Sequence, residues 1–141
     1  MSTSTHSCYD AWLIDSGASF HMTPHREWFP EYEKYNGNIF LGDDSPKKIM
    51  GRGRVKLLLN YGRIRTLPGV MHIPGLARNL ISVSKMADAG VKTTFEKDKC
   101  KMIQGEMVLM RGVQYGTLCK LLGKIVIGEC NNIVVPESSN E

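Results

Sequence analysis

The sequence predicts an all-β fold with one short helix, and three observations carry that expectation. The chain of 141 residues holds 14 glycines that separate short runs of alternating character, a spacing that favours turns and short strands over long helices. In the clearest run, Gly53, Val55, Leu57 and Leu59 alternate with Arg52, Arg54 and Lys56, which is the period of a half-buried strand. The helix is marked by Ile81-Ser82-Val83-Ser84-Lys85-Met86-Ala87 running into Asp88-Ala89-Gly90, where Gly90 reads as a cap. A chain of this length supports one domain.

Residues 1–10 are polar and read as a flexible lead-in, with the folded domain spanning 11–123. The apolar run Trp12-Leu13-Ile14 forms a first strand that delivers Asp15 into the small-residue turn Ser16-Gly17-Ala18. Beyond Phe20-His21-Met22-Thr23-Pro24-His25, the aromatic and charged stretch 28–35 reads as a wide loop with a helical turn. Gly37 then opens a hairpin, with strands at 38–41 and 47–50 joined through Gly42-Asp43-Asp44-Ser45-Pro46. Tyr61-Gly62 turns the 51–59 strand into Arg63-Ile64-Arg65, and Val70-Met71-His72-Ile73-Pro74 is a separate short strand. Asn79-Leu80-Ile81-Ser82 leads into the helix. Hairpins follow at 91–103 and 106–122 around Gln104-Gly105. Ile125-Val126-Ile127 has strand character, but residues 124–141 as a whole are assigned to a polar tail.

Asp15-Ser16-Gly17-Ala18 is the chemical signal. A strand ending in a carboxylate and a glycine turn reads as half of an aspartic-protease site, whose chemistry needs two carboxylates sharing one proton. Gly17 permits the tight turn, the Ser16 hydroxyl can bond locally to hold two such loops together, and Ala18 leaves room for substrate. The only other Asp-x-Gly is Asp88-Ala89-Gly90, already assigned to a helix end. A second copy of the chain must therefore supply the partner carboxylate, which implies an obligate homodimer.

Competing chemistries fit less well. A trypsin-like serine site would need glycines where Ile14 and Ala18 stand. His21 and His25 are four apart and could join Cys8 or His72 as metal ligands, but Pro24 interrupts a helix there and no close cysteine pair supports a site. Loop histidines and no metal are expected. Lys47, Lys48, Arg52, Arg54, Lys56, Arg63 and Arg65 supply much of the +4 net charge; without interleaved aromatics they imply only weak, nonspecific nucleic-acid contact. Cys8, Cys100, Cys119 and Cys130 are scattered, and no signal peptide precedes them. Reduced cysteines, a cytoplasmic location and no membrane contact are the expectation.

Several strings occur together and in order: Trp12-Leu13-Ile14-Asp15-Ser16-Gly17-Ala18-Ser19-Phe20-His21-Met22-Thr23, Leu41-Gly42-Asp43-Asp44, Gly51-Arg52-Gly53, Val70-Met71-His72-Ile73-Pro74-Gly75-Leu76 and Asn79-Leu80-Ile81-Ser82-Val83-Ser84-Lys85-Met86. Across 11–122 this resembles the protease segment of copia-type LTR retrotransposon Gag-Pol polyproteins. The resemblance implies a small closed β-barrel of the retropepsin type, homodimeric, with a flap hairpin. Asp15 would be catalytic, with Ser16, Gly17 and Ala18 as its loop. Leu41, Gly42, Asp43, Asp44 and Ser45 would form the flap over a Gag-Pol substrate, and Leu80, Ile81 and Ser82 would pack behind the catalytic loop. Retroviral relatives carry glycine where Ser82 stands.

The same resemblance implies no cofactor, a location within virus-like particles, and a junction toward the pre-integrase region at Gly116-Thr117-Leu118-Cys119-Lys120-Leu121. Without the flanking zinc regions of such polyproteins, the chain reads as an excised protease segment. The reading from another class is a noncatalytic β-domain, decayed or domesticated, that serves dimerisation or RNA binding.

Overall fold

The computed structural model describes residues 11–41, 45–59 and 62–126. In chain order the strands are β1 (Trp12–Asp15), β2 (His21–Thr23), β3 (Glu31–Phe40), β4 (Pro46–Leu59), β5 (Ile64–His72) and β6 (Asn79–Ser82). Helix α1 (Val83–Asp88) follows, then β7 (Lys92–Phe95), β8 (Lys99–Gln104), β9 (Met107–Tyr115), β10 (Leu118–Leu121) and β11 (Gly123–Val126). The fold is mostly β with one short helix, as expected. The described residues divide into two compact units, one of residues 11–22 with 77–122 and one drawn from 23–76 with 123–126.

In the first unit β1 lies between strands from distant parts of the chain, parallel to β6 and antiparallel to β10. Trp12, Leu13 and Ile14 are all buried, and three consecutive apolar residues can be buried together only where a strand is covered on both faces. The register sets Ile14 beside Ile81 and Asp15 beside Ser82. Beyond β10 the path continues antiparallel through β9, β8 and β7, while β2 pairs with β6 on the other side. Ser82 ends β6 and caps α1 in the same step, accepting a hydrogen bond from the Lys85 amide. Gly90, at φ +85°, stops the helix in a conformation that suits glycine. The hairpins expected across 91–122 form as β7–β8 and β9–β10.

In the second unit β4 is the organising strand. Its first part pairs with β3, its last residues pair with β11, and β5 pairs with it over Gly51 to Leu58. The alternation read from the sequence is real: Val55, Leu57 and Leu59 are buried.

Several expectations are corrected. The helical turn expected with the 28–35 stretch is present just at its start, as the 3-10 turn Arg26–Trp28, but the wide loop is instead strand β3 from Glu31. Most of β3 is exposed, so it carries no hydrophobic alternation to announce a strand. The short strand at 70–74 is the end of the longer β5, which passes through Pro68 and Gly69. The register slips there, from Gly53 opposite Val70 to Val55 opposite Leu67, and such a bulge accepts a proline that a regular ladder would reject. Lys124, Ile125 and Val126, assigned to the tail, form most of β11, with Val126 buried.

The closed barrel is also corrected. Among the described residues the sheet is not closed, since the path of paired strands does not return to its start. The cysteine expectation changes as well, because Cys100 on β8 and Cys119 on β10 are joined as a disulfide. Between them runs β9, where Gly112 leaves room: a Cβ there would come within 2.7 Å of the Cys100 sulfur and 2.9 Å of the Cys119 sulfur. The two cysteines stand 19 positions apart in sequence, which hides the pairing. Cys8 and Cys130 lie outside the described residues.

Candidate active site

Asp15 is the last residue of β1, half-buried, and the chain turns immediately after it through exposed Ser16 and Gly17. The Gly17 amide donates to Asp15 Oδ1 at 2.8 Å. That bond is local, but the turn is also held from a distance. The Ser82 hydroxyl donates to the Ala18 carbonyl at 2.8 Å, and the Ser82 amide donates to His21 Nδ1 at 3.0 Å. With the Lys85 amide donating to the same hydroxyl at 3.0 Å, Ser82 joins the Asp15 loop, β2 and the start of α1. Ser82 is fully buried and Ala18 nearly so. Ala18, expected to leave room for substrate, contributes its backbone carbonyl to this arrangement.

The residues read from the sequence as packing behind the loop lie on β6, with Ile81 and Ser82 fully buried and Leu80 half-buried. Parallel pairing places them directly beside Leu13, Ile14 and Asp15. Serine in place of glycine thus acquires a physical role, since its hydroxyl is both helix cap and loop anchor. A further side chain, Asn79, fixes the entry of β1 by donating to the Ala11 carbonyl at 2.9 Å.

Asp15 and Ser16 open into a cavity of about 310 Å3 whose walls include Arg78, Leu80, Phe95, Gln114 and Leu118. Phe95 and Leu118 are large apolar side chains left exposed, so the cavity offers a carboxylate beside apolar surface.

His21 was read as a loop histidine and is instead a buried member of β2. Burial pushes its imidazole down to about 4, and the nearby Lys85 ammonium pushes in the same direction. Lys85 in turn lies over the Phe20 ring at 5.0 Å. The sequence held no sign of this role because His21 and Ser82 are 61 residues apart.

In the second unit, His25 stacks on Trp28 with ring centroids 4.0 Å apart, and Tyr32 Oη hydrogen-bonds His72 Nδ1 at 2.8 Å. Burial is the main cause holding His72 below its ordinary value. Among the described residues no group of three or more His, Cys, Asp and Glu side chains is placed to hold a metal ion, and no helix is long and apolar enough to cross a membrane. Of the expected flap, Leu41 and Ser45 belong to this unit, at the end of the β3–β4 hairpin whose last pair is Phe40 with Pro46. Gly42, Asp43 and Asp44 lie outside the described residues. Two of the seven cations singled out in the sequence are engaged across the same hairpin, Arg52 with Glu33 at 2.7 Å and Arg54 with Glu31 at 3.7 Å. That leaves less uncompensated charge for a phosphate backbone.

Residues 12–91 match the family described as "Pol polyprotein, beta-barrel domain". Among curated proteins, the chain is 35% identical over 121 residues to the "Retrovirus-related Pol polyprotein from transposon TNT 1-94" of Nicotiana tabacum, covering 85% of this chain and 9% of that protein. It is 31% identical over 87 residues to the "Retrovirus-related Pol polyprotein from transposon RE1" of Arabidopsis thaliana, covering 60% of this chain and 6% of that protein. The chain therefore spans less than a tenth of the length of these relatives. No solved structure matches it.

Proposed function

We propose, from the premise that this chain belongs to the Pol polyprotein beta-barrel domain family, that it is the aspartic endopeptidase of a retrotransposon and acts as a homodimer on the Pol-containing polyprotein. The observation that carries this reading is the Asp15 loop: a carboxylate at the end of a buried strand, anchored from behind by Ser82 and facing a peptide-sized cavity. Two such loops brought together at a two-fold axis would place two carboxylates side by side, where repulsion prevents both from ionising. The ionised one takes a proton from water as it attacks the peptide carbonyl, and the protonated one donates to the carbonyl oxygen. The later proton goes to the leaving amine.

The test is incubation of the chain with a matching polyprotein fragment, with Asp15→Asn in parallel, followed by mass determination of the products. Intact protein should cleave at defined bonds, and Asn should lower the rate by about 10²- to 10⁴-fold, the range that general acid–base groups supply. Equal cleavage by both proteins would overturn the assignment. Mixing intact chain with excess Asp15→Asn chain should depress activity beyond dilution once subunits exchange; full activity after verified exchange would show that a single chain suffices.

A further inference from the structure

We infer that His21 is a positioning residue for the Asp15 loop: its Nδ1 fixes the Ser82 backbone so that the Ser82 hydroxyl can hold the Ala18 carbonyl and, through it, the turn that carries Asp15. For its kinetic consequence this rests on the endopeptidase reading above; for its hydrogen bonds it does not.

The argument starts from what Ser82 must do. Its hydroxyl accepts from the Lys85 amide and donates to Ala18, so both bonds depend on where the Ser82 backbone sits at the junction of β6 and α1. That backbone is pinned by a side chain, because the Ser82 amide is taken by His21 Nδ1 at 3.0 Å. His21 lies only three residues beyond Ala18, on β2, which pairs with β6 through Met22 and Leu80. Loop, β2 and the β6–α1 junction thus form one closed circuit. Removing the imidazole acceptor would leave a buried amide without a partner and free the junction to shift.

An imidazole nitrogen accepts only when it carries no proton, so the bond assigns the proton to Nε2. The surroundings enforce this. β6 brings no ionisable side chain, β1 brings Asp15, and α1 brings Lys85 and Asp88. Of these Lys85 acts on the imidazole, and together with burial it keeps the ring neutral down to about pH 4. A misplacement of about 1 Å at a reacting group can cost on the order of 100-fold in rate, so a side chain that touches no substrate can still control turnover.

The experiment compares His21→Asn with His21→Leu in the full chain. The Asn carbonyl oxygen can occupy the Nδ1 position and does not titrate, whereas Leu fills the space without an acceptor. Asn should keep kcat within about threefold, and Leu should lose about tenfold or more in kcat with KM little changed, the pattern of an interaction needed in the transition state. In parallel, nitrogen-15 NMR of the intact chain should show an unprotonated Nδ1 on His21. Protection of the Ser82 amide should fall as the pH drops through about 4 in the intact chain and stay level in the Asn variant. Equal kcat for the Asn and Leu variants, or a His21 with a protonated Nδ1 at neutral pH, would overturn the inference. If the intact chain cleaves nothing, the endopeptidase reading fails while the NMR measurement still decides the anchoring. If the Leu variant does not fold, the Asn variant and the NMR titration decide it.

Discussion

Around Asp15 the turn is held by buried side-chain hydrogen bonds from Ser82 and His21, whereas the ribbon of β3 and β4 is held by a backbone ladder and by ion pairs that lie in solvent. Both regions are surface features carried by strands, but their tolerance to change should differ. A buried polar group that loses its partner costs its full desolvation penalty, while an exposed ion pair is replaced by water at little loss. Stability is therefore concentrated in a few residues near Asp15 and spread over many backbone bonds in the ribbon.

The largest effect should come from pH, acting through His21. Burial and Lys85 hold its imidazole at about 4 against an ordinary 6.5, so the folded chain binds that proton more weakly than the unfolded chain does. The stabilisation is complete above about pH 6.5 and is lost as the pH falls toward 4. At about 1.4 kcal/mol per pKa unit the loss amounts to roughly 3 kcal/mol. Urea unfolding at pH 7 and pH 4 should show this drop in the intact chain and a smaller one in His21→Asn. Identical pH dependence in the two proteins would break the comparison, because the Asp15 region would then rest on nothing that titrates at position 21.

Next in size is Ser82→Ala. It removes the helix cap and leaves the Ala18 carbonyl without its donor; caps and unsatisfied buried groups each contribute about 1–2 kcal/mol, so about 2–3 kcal/mol of destabilisation is expected. The midpoint of urea unfolding measures it. A loss below about 0.5 kcal/mol, the range of ordinary surface changes, would mean that the junction of β6 and α1 holds without the hydroxyl.

The sequence was most legible where a local rule governs structure. Asp15-Ser16-Gly17 could be read as a turn bearing a carboxylate because the residue types alone demand it, and Gly90 could be read as a helix stop for the same reason. The alternation of Val55, Leu57 and Leu59 announced β4 because one face is buried. What could not be read depends on partners distant in the chain. Ser82 meets Ala18 across 64 residues and His21 across 61, and Cys100 meets Cys119 over an intervening strand. Nor could β3 be seen, because an exposed strand has no apolar period. The separate short strand expected at 70–74 is the end of β5, and its continuity through Pro68 and Gly69 could not be read because a bulge is defined by its partner strand, not by its own residues.

The smallest effect should be found at Glu33. Its carboxylate accepts from Arg52 Nε at 2.7 Å, with both side chains largely exposed, and the bond to Glu33 is the main influence raising the Arg52 pKa. Glu33→Gln keeps the shape and can still accept a hydrogen bond, so only the charge is removed. Arg52 also lies over the Tyr35 ring at 4.4 Å, a contact that the substitution leaves in place. The strand itself remains paired, because the Glu33–Arg52 register is made by backbone groups on β3 and β4. The expected outcome is a slight drop in the urea midpoint at low salt that disappears near 1 M salt, where the screening length falls to about 3 Å. A loss as large as that of Ser82→Ala, persisting at high salt, would show that the ribbon too depends on single side chains, and the contrast between the two regions would fail.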